Sequence, residues 1–257
     1  MYMKYMLLLL LFLLQVATCF GKKSLEWRFK SQDKSPAKRG FHEMAELNMG
    51  PSASKQALLF GGLSGGTNTR SRSSRHEPYQ LHNDTWVFNP SASGDMNGNR
   101  EWIRLYPPVA PPARYLHAMT STGTIFLGAA VMYGGLSSAV HATTVANIQQ
   151  PKDYLNDVWL FNLHEVKWMQ LKSEPGDGQV VVPTPRAYHR LSRFQPENSS
   201  MLVLMFGGRL QNGDDTDETF VLELRAGDDS LLPGTITSVR ALWYLLAPSV
   251  APSKRTG

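Results

Sequence analysis

The sequence contains almost no cysteine, which excludes a fold held together by disulfide bonds. Its 257 residues include one cysteine, Cys19, and this residue lies in an apolar N-terminal segment. Small secreted domains depend on disulfide bonds, whereas a larger chain can rely on its hydrophobic core. Hydrophobic residues make up 42% of this chain. We therefore expect a globular fold with a core of its own.

The chain also lacks a strong charge of one sign and any later long apolar run. Lys and Arg number 26 against 21 Asp and Glu, which gives a formal charge of +5. This mild excess does not indicate a nucleic-acid-binding protein, and part of it lies in a serine-rich tract with Arg70, Arg72 and Arg75, typical of a solvated loop. After the N-terminal segment, no stretch reaches the roughly 18 apolar residues of a membrane span.

The first 21 residues have the pattern of a secretory signal peptide. Lys4 precedes an unbroken apolar run at 6–14, and small or turn-forming residues follow up to Gly21. An apolar run this short favours a cleaved leader over a membrane span. We therefore expect a secreted or secretory-lumen protein that begins near Gly21 or Lys22. An uncleaved signal anchor, which would place the protein at a membrane, is the alternative.

Sequence markers recur in the same order three times. The first is an Arg-x-x-His unit, at Arg39 to His42, Arg114 to His117 and Arg186 to His189. The second is an apolar run ending in a diglycine, at Gly61 and Gly62, Gly134 and Gly135, and Gly207 and Gly208. The third is an acid before an aromatic strand, at Asp84 with Trp86, Asp157 with Trp159, and Glu218 with Phe220. Each copy then closes on a tryptophan, at Trp102, Trp168 and Trp243. Such order over three copies indicates an internal repeat.

This arrangement resembles the kelch-repeat β-propeller family over about residues 25–257. Kelch repeats carry an arginine near the first strand, a diglycine after the second, an aspartate and an aromatic residue in the third, and a tryptophan in the fourth. The chain departs from the pattern at Phe220, and its repeats are longer than the usual ~50 residues. Because the leader indicates secretion, the closer analogues are extracellular kelch proteins such as attractin, and galactose oxidase shares the architecture.

The resemblance implies an all-β fold, a kelch-type β-propeller segment at 22–257 with three four-stranded blades. The blades are expected at about 39–106, 112–172 and 184–246. Their strands are expected at about 41–47, 56–60, 84–89, 101–105, 115–121, 125–133, 156–162, 166–171, 188–194, 201–206, 218–224 and 239–245. Residues 25–29 match a closing fourth strand, and 252–257 copy the start of a fourth repeat. Propellers need about 4–8 blades, so we expect an incomplete ring and a truncated chain.

Most of the repeated residues are expected to be structural. The six glycines of the diglycines permit positive φ and a close backbone approach. Asp84 and Asp157 suit a strand entry, where short acidic side chains bond backbone N–H groups. Apolar area between blades is expected from Trp86, Trp102, Trp159, Trp168 and Trp243.

The candidate ligand-binding residues are the three repeat arginines, Arg39, Arg114 and Arg186. They are expected on one face of the molecule with the long connections at 63–82 and 136–155, and long loops on a rigid scaffold commonly carry recognition. Because arginine binds carboxylates in a bidentate manner, we expect these residues to contact a protein or glycan ligand. The alternative is that the arginines pair within the scaffold.

Catalysis has little support, and no catalytic residue, cofactor or metal is assigned. A metal site at His42, His117 and His189 is disfavoured, because a residue found in every repeat is better explained by the repeat. The acidic cluster at Asp214, Asp215, Asp217 and Glu218 is typical of a solvated turn. The galactose oxidase cofactor needs a cysteine that the mature chain lacks. A secreted carbohydrate-active enzyme, such as a sugar isomerase, remains the alternative function.

Two asparagines lie in N-glycosylation sequons. Asn198 lies in a polar stretch typical of a loop and is the better acceptor. Asn83 lies at a predicted strand entry, where we expect the fold to shield it.

Overall fold

The structure is a computed structural model that describes residues 35–50, 55–65, 79–91, 101–137, 153–194, 201–226 and 238–246. These residues form strands and turns without a helix, which confirms the prediction of an all-β fold. In them, no helix is long and apolar enough to cross a membrane. The predicted leader at 1–21, the segment at 25–29 and the segment at 252–257 lie outside the described residues.

The first sheet has four antiparallel strands in chain order, with a small inserted hairpin. The strands are β1 (Glu43–Leu47), β2 (Gln56–Phe60), β3 (Leu63–Ser64), β4 (Gln80–Leu81), β5 (Thr85–Phe88) and β6 (Trp102–Leu105). The sheet order is β1-β2-β5-β6, and β3 pairs with β4 in a separate two-stranded sheet. The aromatic and branched side chains of β2 and β5 suit these paired, buried strands.

The second sheet repeats this order, and its second and third strands continue their pairing beyond the diglycine. Its strands are β7 (Ala118–Ser121), β8 (Ala129–Leu136), β9 (Tyr154–Asn162) and β10 (Lys167–Leu171). The register between β8 and β9 shifts between Tyr133 and Gly135, where the diglycine bends the strand. Such an irregularity strengthens the local twist of a sheet.

The third sheet has a fifth strand that the sequence analysis did not predict. The third group of strands is β11 (Ser173–Pro175), β12 (Arg186–Ala187), β13 (Arg190–Phe194), β14 (Met201–Phe206), β15 (Arg209–Leu210), β16 (Thr219–Ala226) and β17 (Val239–Leu246). The sheet order is β13-β14-β16-β17-β11, and β12 pairs with β15. β11 is parallel to β17. A three-residue edge segment that ends in proline carries no strand signal.

The sheets pack through alternate residues of their strands. In β8, Ala130 and Met132 belong to the core cluster shared with the first sheet, whereas Val131 and Tyr133 belong to the cluster shared with the third sheet. All eight residues of β8 are buried. The second sheet is therefore covered on both faces, which explains why its strands are continuous apolar runs.

The main strands lie within about four residues of their predicted ends, which is the accuracy expected of pattern-based boundaries. The long connections were also placed correctly, because each lies between the second and third main strands of its sheet. Most of their residues, 66–78 and 138–152, lie outside the described residues.

Candidate functional site

Each repeat arginine is buried at the start of its sheet. The side chains of Arg114 and Arg186 are 0% exposed, and that of Arg39 is 3% exposed. A buried guanidinium group keeps its charge and its five donors, so it needs acceptors inside the fold. The structure supplies these acceptors in the same way three times.

The first acceptor is the carbonyl oxygen of the leading glycine in each diglycine. The distances from Nη1 to this oxygen are 3.0 Å for Arg39 to Gly61, 3.0 Å for Arg114 to Gly134 and 3.2 Å for Arg186 to Gly207. Each of these glycines directly follows or ends the apolar run of a second strand. The arginine therefore holds the chain where it leaves that strand.

The second acceptor is the acid two residues before the aromatic residue of the third main strand; it directly precedes β5 and β16 and lies inside β9. Arg114 contacts both carboxylate oxygens of Asp157, with Nη1 to Oδ1 at 2.6 Å and Nη2 to Oδ2 at 2.7 Å. Arg39 contacts both oxygens of Asp84 in the same way, with Nη2 to Oδ2 at 2.9 Å. Bidentate pairs of this kind are the strong, directional form of the arginine–carboxylate contact.

Each arginine thus joins the two sides of one connection between the second and third main strands. It binds a glycine on the outgoing side and an acid on the returning side, and in the second sheet both of these residues lie inside the strands β8 and β9. We call the arginine, the glycine carbonyl and the acid a loop clamp. A loop whose ends are fixed in this way loses less conformational entropy when it binds a partner.

A tryptophan adds another donor to the first two loop clamps. Nε1 of Trp86 lies 2.6 Å from Oδ2 of Asp84, and Nε1 of Trp159 lies 2.6 Å from Oδ2 of Asp157. Burial raises the pKa of Asp84, but the hydrogen bonds from Arg39 and Trp86 outweigh it and hold the pKa below its ordinary value. The carboxylate therefore stays ionised at neutral pH.

The third loop clamp uses a longer acid and a ring without a donor. Arg186 Nη2 contacts Glu218 Oε2 at 2.6 Å and also Thr184 Oγ1 at 3.2 Å. Phe220 replaces the tryptophan, and the guanidinium carbon of Arg186 lies 5.4 Å from the centre of its ring. A cation–π contact there takes the place of the indole hydrogen bond.

This geometry assigns Arg39, Arg114 and Arg186 to the scaffold. Their guanidinium groups are buried and paired with acids of the same chain. The ligand-binding role predicted for them is replaced by pairing within the scaffold, the alternative that the sequence left open. They act on the loop bases and present no free cation to a ligand.

The diglycines are required by the neighbouring sheet. A Cβ atom on Gly61 would lie 2.6 Å from the Arg114 carbonyl oxygen, and one on Gly134 would lie 2.7 Å from that of Arg186. Both glycines also have φ in the left-handed region, at 68° and 64°. The predicted close backbone approach is confirmed, and it joins each sheet to the next.

A row of residues with positive φ also joins the sheets, and no sequence pattern predicts it. The residue two after each repeat arginine has positive φ, at 56° for Phe41, 56° for Leu116 and 62° for Tyr188. Leu116 N–H donates to the Phe41 carbonyl at 3.1 Å, and Tyr188 N–H donates to that of Leu116 at 3.1 Å. Bulky side chains are rare at positive φ, which explains why the sequence did not predict this conformation.

Two of the repeat histidines, His117 and His189, are buried, whereas His42 is half-buried. Neither ring nitrogen of His117 has a hydrogen-bond partner among the described residues. Burial, and then the charge of Arg114, lowers the pKa of His117 well below its ordinary value. Burial lowers the pKa of His189 to about 3. In the described part of the chain, no group of three or more acids, histidines or cysteines is placed to hold a metal ion.

The acidic cluster separates into parts with different surroundings. Asp215 pairs with Arg209 at 2.9 Å, and the exposed Asp214 accepts a hydrogen bond from Asn212 at 2.7 Å. Glu218 instead belongs to the third loop clamp. The four acids are therefore not one solvated turn, since only part of the group lies at the surface.

The two sequons differ from expectation in one respect. Asn83 is exposed, and it lies in the short segment between β4 and β5. The predicted shielding of Asn83 was wrong. Asn198 lies outside the described residues.

Two tryptophans of the fourth strands, Trp168 and Trp243, contact aromatic rings of a neighbouring sheet. Trp168 and Trp243 are 1% and 0% exposed, whereas Trp102 is half-buried. Trp102 borders a cavity of about 710 Å³ on the first sheet, which is also lined by Trp86, Arg104 and Tyr106. Trp86 and Trp159 are 9% and 6% exposed, so the predicted apolar role of the tryptophans agrees with their burial.

Comparisons with known proteins support the fold alone. A scan against protein-family models and a search of curated proteins found no match. Among solved structures, the chain is similar to a chain in the cryo-EM structure of RAG in complex with one melted RSS and one unmelted RSS. The TM-score is 0.52 and the identity 15%, over 85% of this chain and 55% of that chain. This chain therefore spans about half the length of that neighbour.

The fold and the site together define an all-β protein of packed antiparallel sheets. Each of the three main sheets carries one loop clamp at the base of the loop between its second and third main strands.

Proposed function

We propose that this chain is a kelch-type β-propeller segment of the secretory pathway that recognises a protein or glycan ligand through its long loops. Three observations support the propeller: the sheets are antiparallel in strand order, they pack face to face, and the arginine, diglycine and tryptophan markers occupy equivalent places in each. The leader-like segment at 1–21 supports secretion.

The loop clamp is the observation that carries the binding role. Each clamp uses a buried ion pair to fix both ends of one loop, and the first two loops are long, from Gly62 to Asp84 and from Gly135 to Asp157. The third loop, from Gly208 to Glu218, is short. Fixed ends and long variable centres are typical of recognition loops on a rigid scaffold.

The pairing of the charged groups also favours binding over catalysis. The acids nearest the loop bases accept hydrogen bonds from arginine or tryptophan, and the nearby histidines are buried with lowered pKa values. A general acid or base must reach a substrate and exchange protons near neutral pH. The pKa values of Asp84, His117 and His189 are instead lowered below their ordinary values.

The test uses the full chain, expressed in secreting cells, and variants that shorten one loop at a time. The purified protein is labelled and applied to a glycan array and to an array of cell-surface ectodomains. Replacing 66–78 or 138–152 with a short Gly-Ser linker is expected to abolish the binding seen with the unaltered chain. The melting temperature should stay within a few degrees, since these replacements leave the clamps intact.

The matched control shortens 92–100, which connects the third and fourth main strands of the first sheet. In an antiparallel sheet this connection lies at the opposite end of the strands from the clamped loops. It should leave binding unchanged. Binding that survives both loop replacements, or that is lost equally in the control, would contradict the proposed recognition surface.

A further inference from the structure

One aromatic contact occurs at both interfaces between neighbouring sheets. The aromatic residue directly before the diglycine of the second strand packs against the tryptophan of the next sheet. The ring centres are 4.9 Å apart for Phe60 and Trp168, and 5.2 Å apart for Tyr133 and Trp243. Neighbouring sheets therefore pack through the same pair of positions at both interfaces.

A hydroxyl group accepts a hydrogen bond from each of these tryptophans. Across the first interface, Trp168 Nε1 donates to Thr85 Oγ1 at 3.0 Å, and Thr85 is the cross-strand partner of Phe60. Trp243 Nε1 instead donates at 3.3 Å to Ser173 Oγ in β11 of its own sheet. A buried indole N–H needs such an acceptor. The receiving site in the first sheet is thus a phenylalanine and a threonine side by side.

The first sheet has the tryptophan of such an interface but no sheet packed against it among the described residues. Trp102 occupies the position of Trp168, because each is paired with the phenylalanine of its third strand, Phe88 and Phe161. Trp102 is half-buried and borders the cavity of about 710 Å³. The cavity, which Arg39, His82 and Asp84 also line, therefore lies beside the ring whose counterparts Trp168 and Trp243 each contact an aromatic ring of the neighbouring sheet.

The third sheet has the receiving site. Phe206 ends its second strand and is the cross-strand partner of Thr219, as Phe60 is of Thr85. Phe206 and Thr219 are half-buried, whereas Phe60 and Thr85 are 0% and 1% exposed beneath the second sheet. Leu204 on the same face is 38% exposed, although its equivalents Leu58 and Val131 are 0% exposed.

We propose that two copies of this chain pair head to tail through these two faces. Phe206 of one copy enters the cavity beside Trp102 of the other, and Trp102 Nε1 donates to Thr219 Oγ1 of the other copy. The phenylalanine–threonine site of the third sheet copies that of the first sheet, which already binds a tryptophan. The two halves of one interface are therefore present on one chain.

Two such contacts close the assembly. A head-to-tail contact forms a ring when its rotation closes and a filament when it does not. Two copies would supply six sheets, within the range of about 4–8 that closed propellers use. This closure rests on the propeller geometry proposed above, while the pairing of the faces rests on the contacts within the chain. Closure would also cover the apolar faces, which would otherwise favour aggregation.

The mass of the native full chain in solution, measured by light scattering after size exclusion, tests the proposal. The expected mass is twice that of the denatured chain. Trp102→Asp and Phe206→Asp should each weaken the association about tenfold or more, because aromatic anchors dominate such interfaces. Ile125→Asp is the control: Ile125 is 37% exposed in a turn of the second sheet, and its substitution should leave the mass unchanged.

Mixing the two variants separates loss of the interface from loss of folding. The Trp102→Asp chain keeps its Phe206 face, and the Phe206→Asp chain keeps its Trp102 face. Together they should form a mixed pair through one intact contact, although each alone is monomeric. A monomeric unaltered chain, a larger open assembly, or a mixture that fails to pair would overturn the proposal. If the unaltered chain is monomeric but still binds on the arrays, the pairing proposal fails and the proposed recognition role stands.

Discussion

The second and third loop clamps make the same connection with different chemistry. Arg114 is held by both oxygens of Asp157, which also accepts the indole N–H of Trp159. Arg186 reaches one oxygen of Glu218 and lies over the ring of Phe220. The Asp157 side chain is 14% exposed, whereas that of Glu218 is 39% exposed. The second clamp is therefore the drier and better satisfied of the two.

The difference shows that the acid and the aromatic residue of a clamp are coupled. An aspartate held by an arginine has acceptor sites left, and a tryptophan two residues later fills one of them. Where the ring cannot donate, the longer and more hydrated glutamate is tolerated, because water can complete its hydrogen bonds. The loop between the ends of the third clamp is also the short one, so less chain depends on this clamp.

The largest expected effect comes from removing the arginine of each clamp. Arg114→Met should lower the free energy of unfolding by about 3–5 kcal/mol, because it leaves Asp157 buried and uncompensated. Arg186→Met should cost about 1–3 kcal/mol, since Glu218 can rehydrate. Urea unfolding of both variants measures the difference. Equal losses would remove the distinction between the two clamps.

The next effect tests the contact between the second clamp and the third. Gly134→Ala should cost about 2–4 kcal/mol, because its Cβ would clash with the Arg186 carbonyl at a strained φ. Gly178→Ala is a matched control with φ of 76° and no atom within 4 Å of its Cβ. The control should cost about 1 kcal/mol, which is the conformational part alone. Similar losses by thermal unfolding in both variants would show that the close approach contributes nothing.

Acid should destabilise the folded chain through His117 and His189, the buried histidines of the second and third repeats. His117 and His189 have lowered pKa values in the folded chain, so the unfolded chain binds more protons as the pH falls below about 6.5. Stability is present above this pH, and we expect it to fall by about 2 kcal/mol between pH 6.5 and 5.5. Unfolding at a series of pH values measures the slope. A variant with His117→Gln and His189→Gln should lose most of this slope, and an unchanged slope would assign it to other groups.

The smallest expected effect is the recovery of stability when the acid and the aromatic residue of the third clamp are replaced together. Phe220→Trp alone should destabilise the protein, because the larger ring enters a packed core without its usual acceptor. Adding Glu218→Asp should recover about 1 kcal/mol, as the indole and Arg186 gain the carboxylate geometry of the second clamp. Unfolding of the single and double variants gives the coupling. Additive losses would show that acid and ring are independent.

The strands could be predicted from the sequence because each leaves a local signal. The runs at Leu58 and Val131 are apolar, the diglycines end them, and a tryptophan marks each last strand. β11 could not be predicted, since it is three residues long, ends in Pro175 and depends on pairing with β17 from far along the chain. Its existence is decided by tertiary packing and not by propensity.

The sequence reduced the role of the arginines to two alternatives, ligand binding or pairing within the scaffold, but could not decide between them. The spacing of Arg39 and Asp84 shows only that both residues belong to the repeat. Their contact forms when the segments that precede the first and third main strands come together in the folded sheet. An arginine at a loop base can pair inward or face a ligand, and only burial separates the two. The strained conformation of Leu116 left no signal either, because leucine does not ordinarily adopt positive φ.

The most direct test of the loop clamp is a double-mutant cycle on Arg114 and Asp157. The free energy of unfolding is measured for the unaltered chain, Arg114→Met, Asp157→Asn and the double variant. If the pair is a buried scaffold contact, the coupling energy should be about 2–3 kcal/mol, with the double variant more stable than the sum of the single losses implies. A coupling energy below about 0.5 kcal/mol, as measured for exposed ion pairs, would contradict the assignment of these arginines to the scaffold.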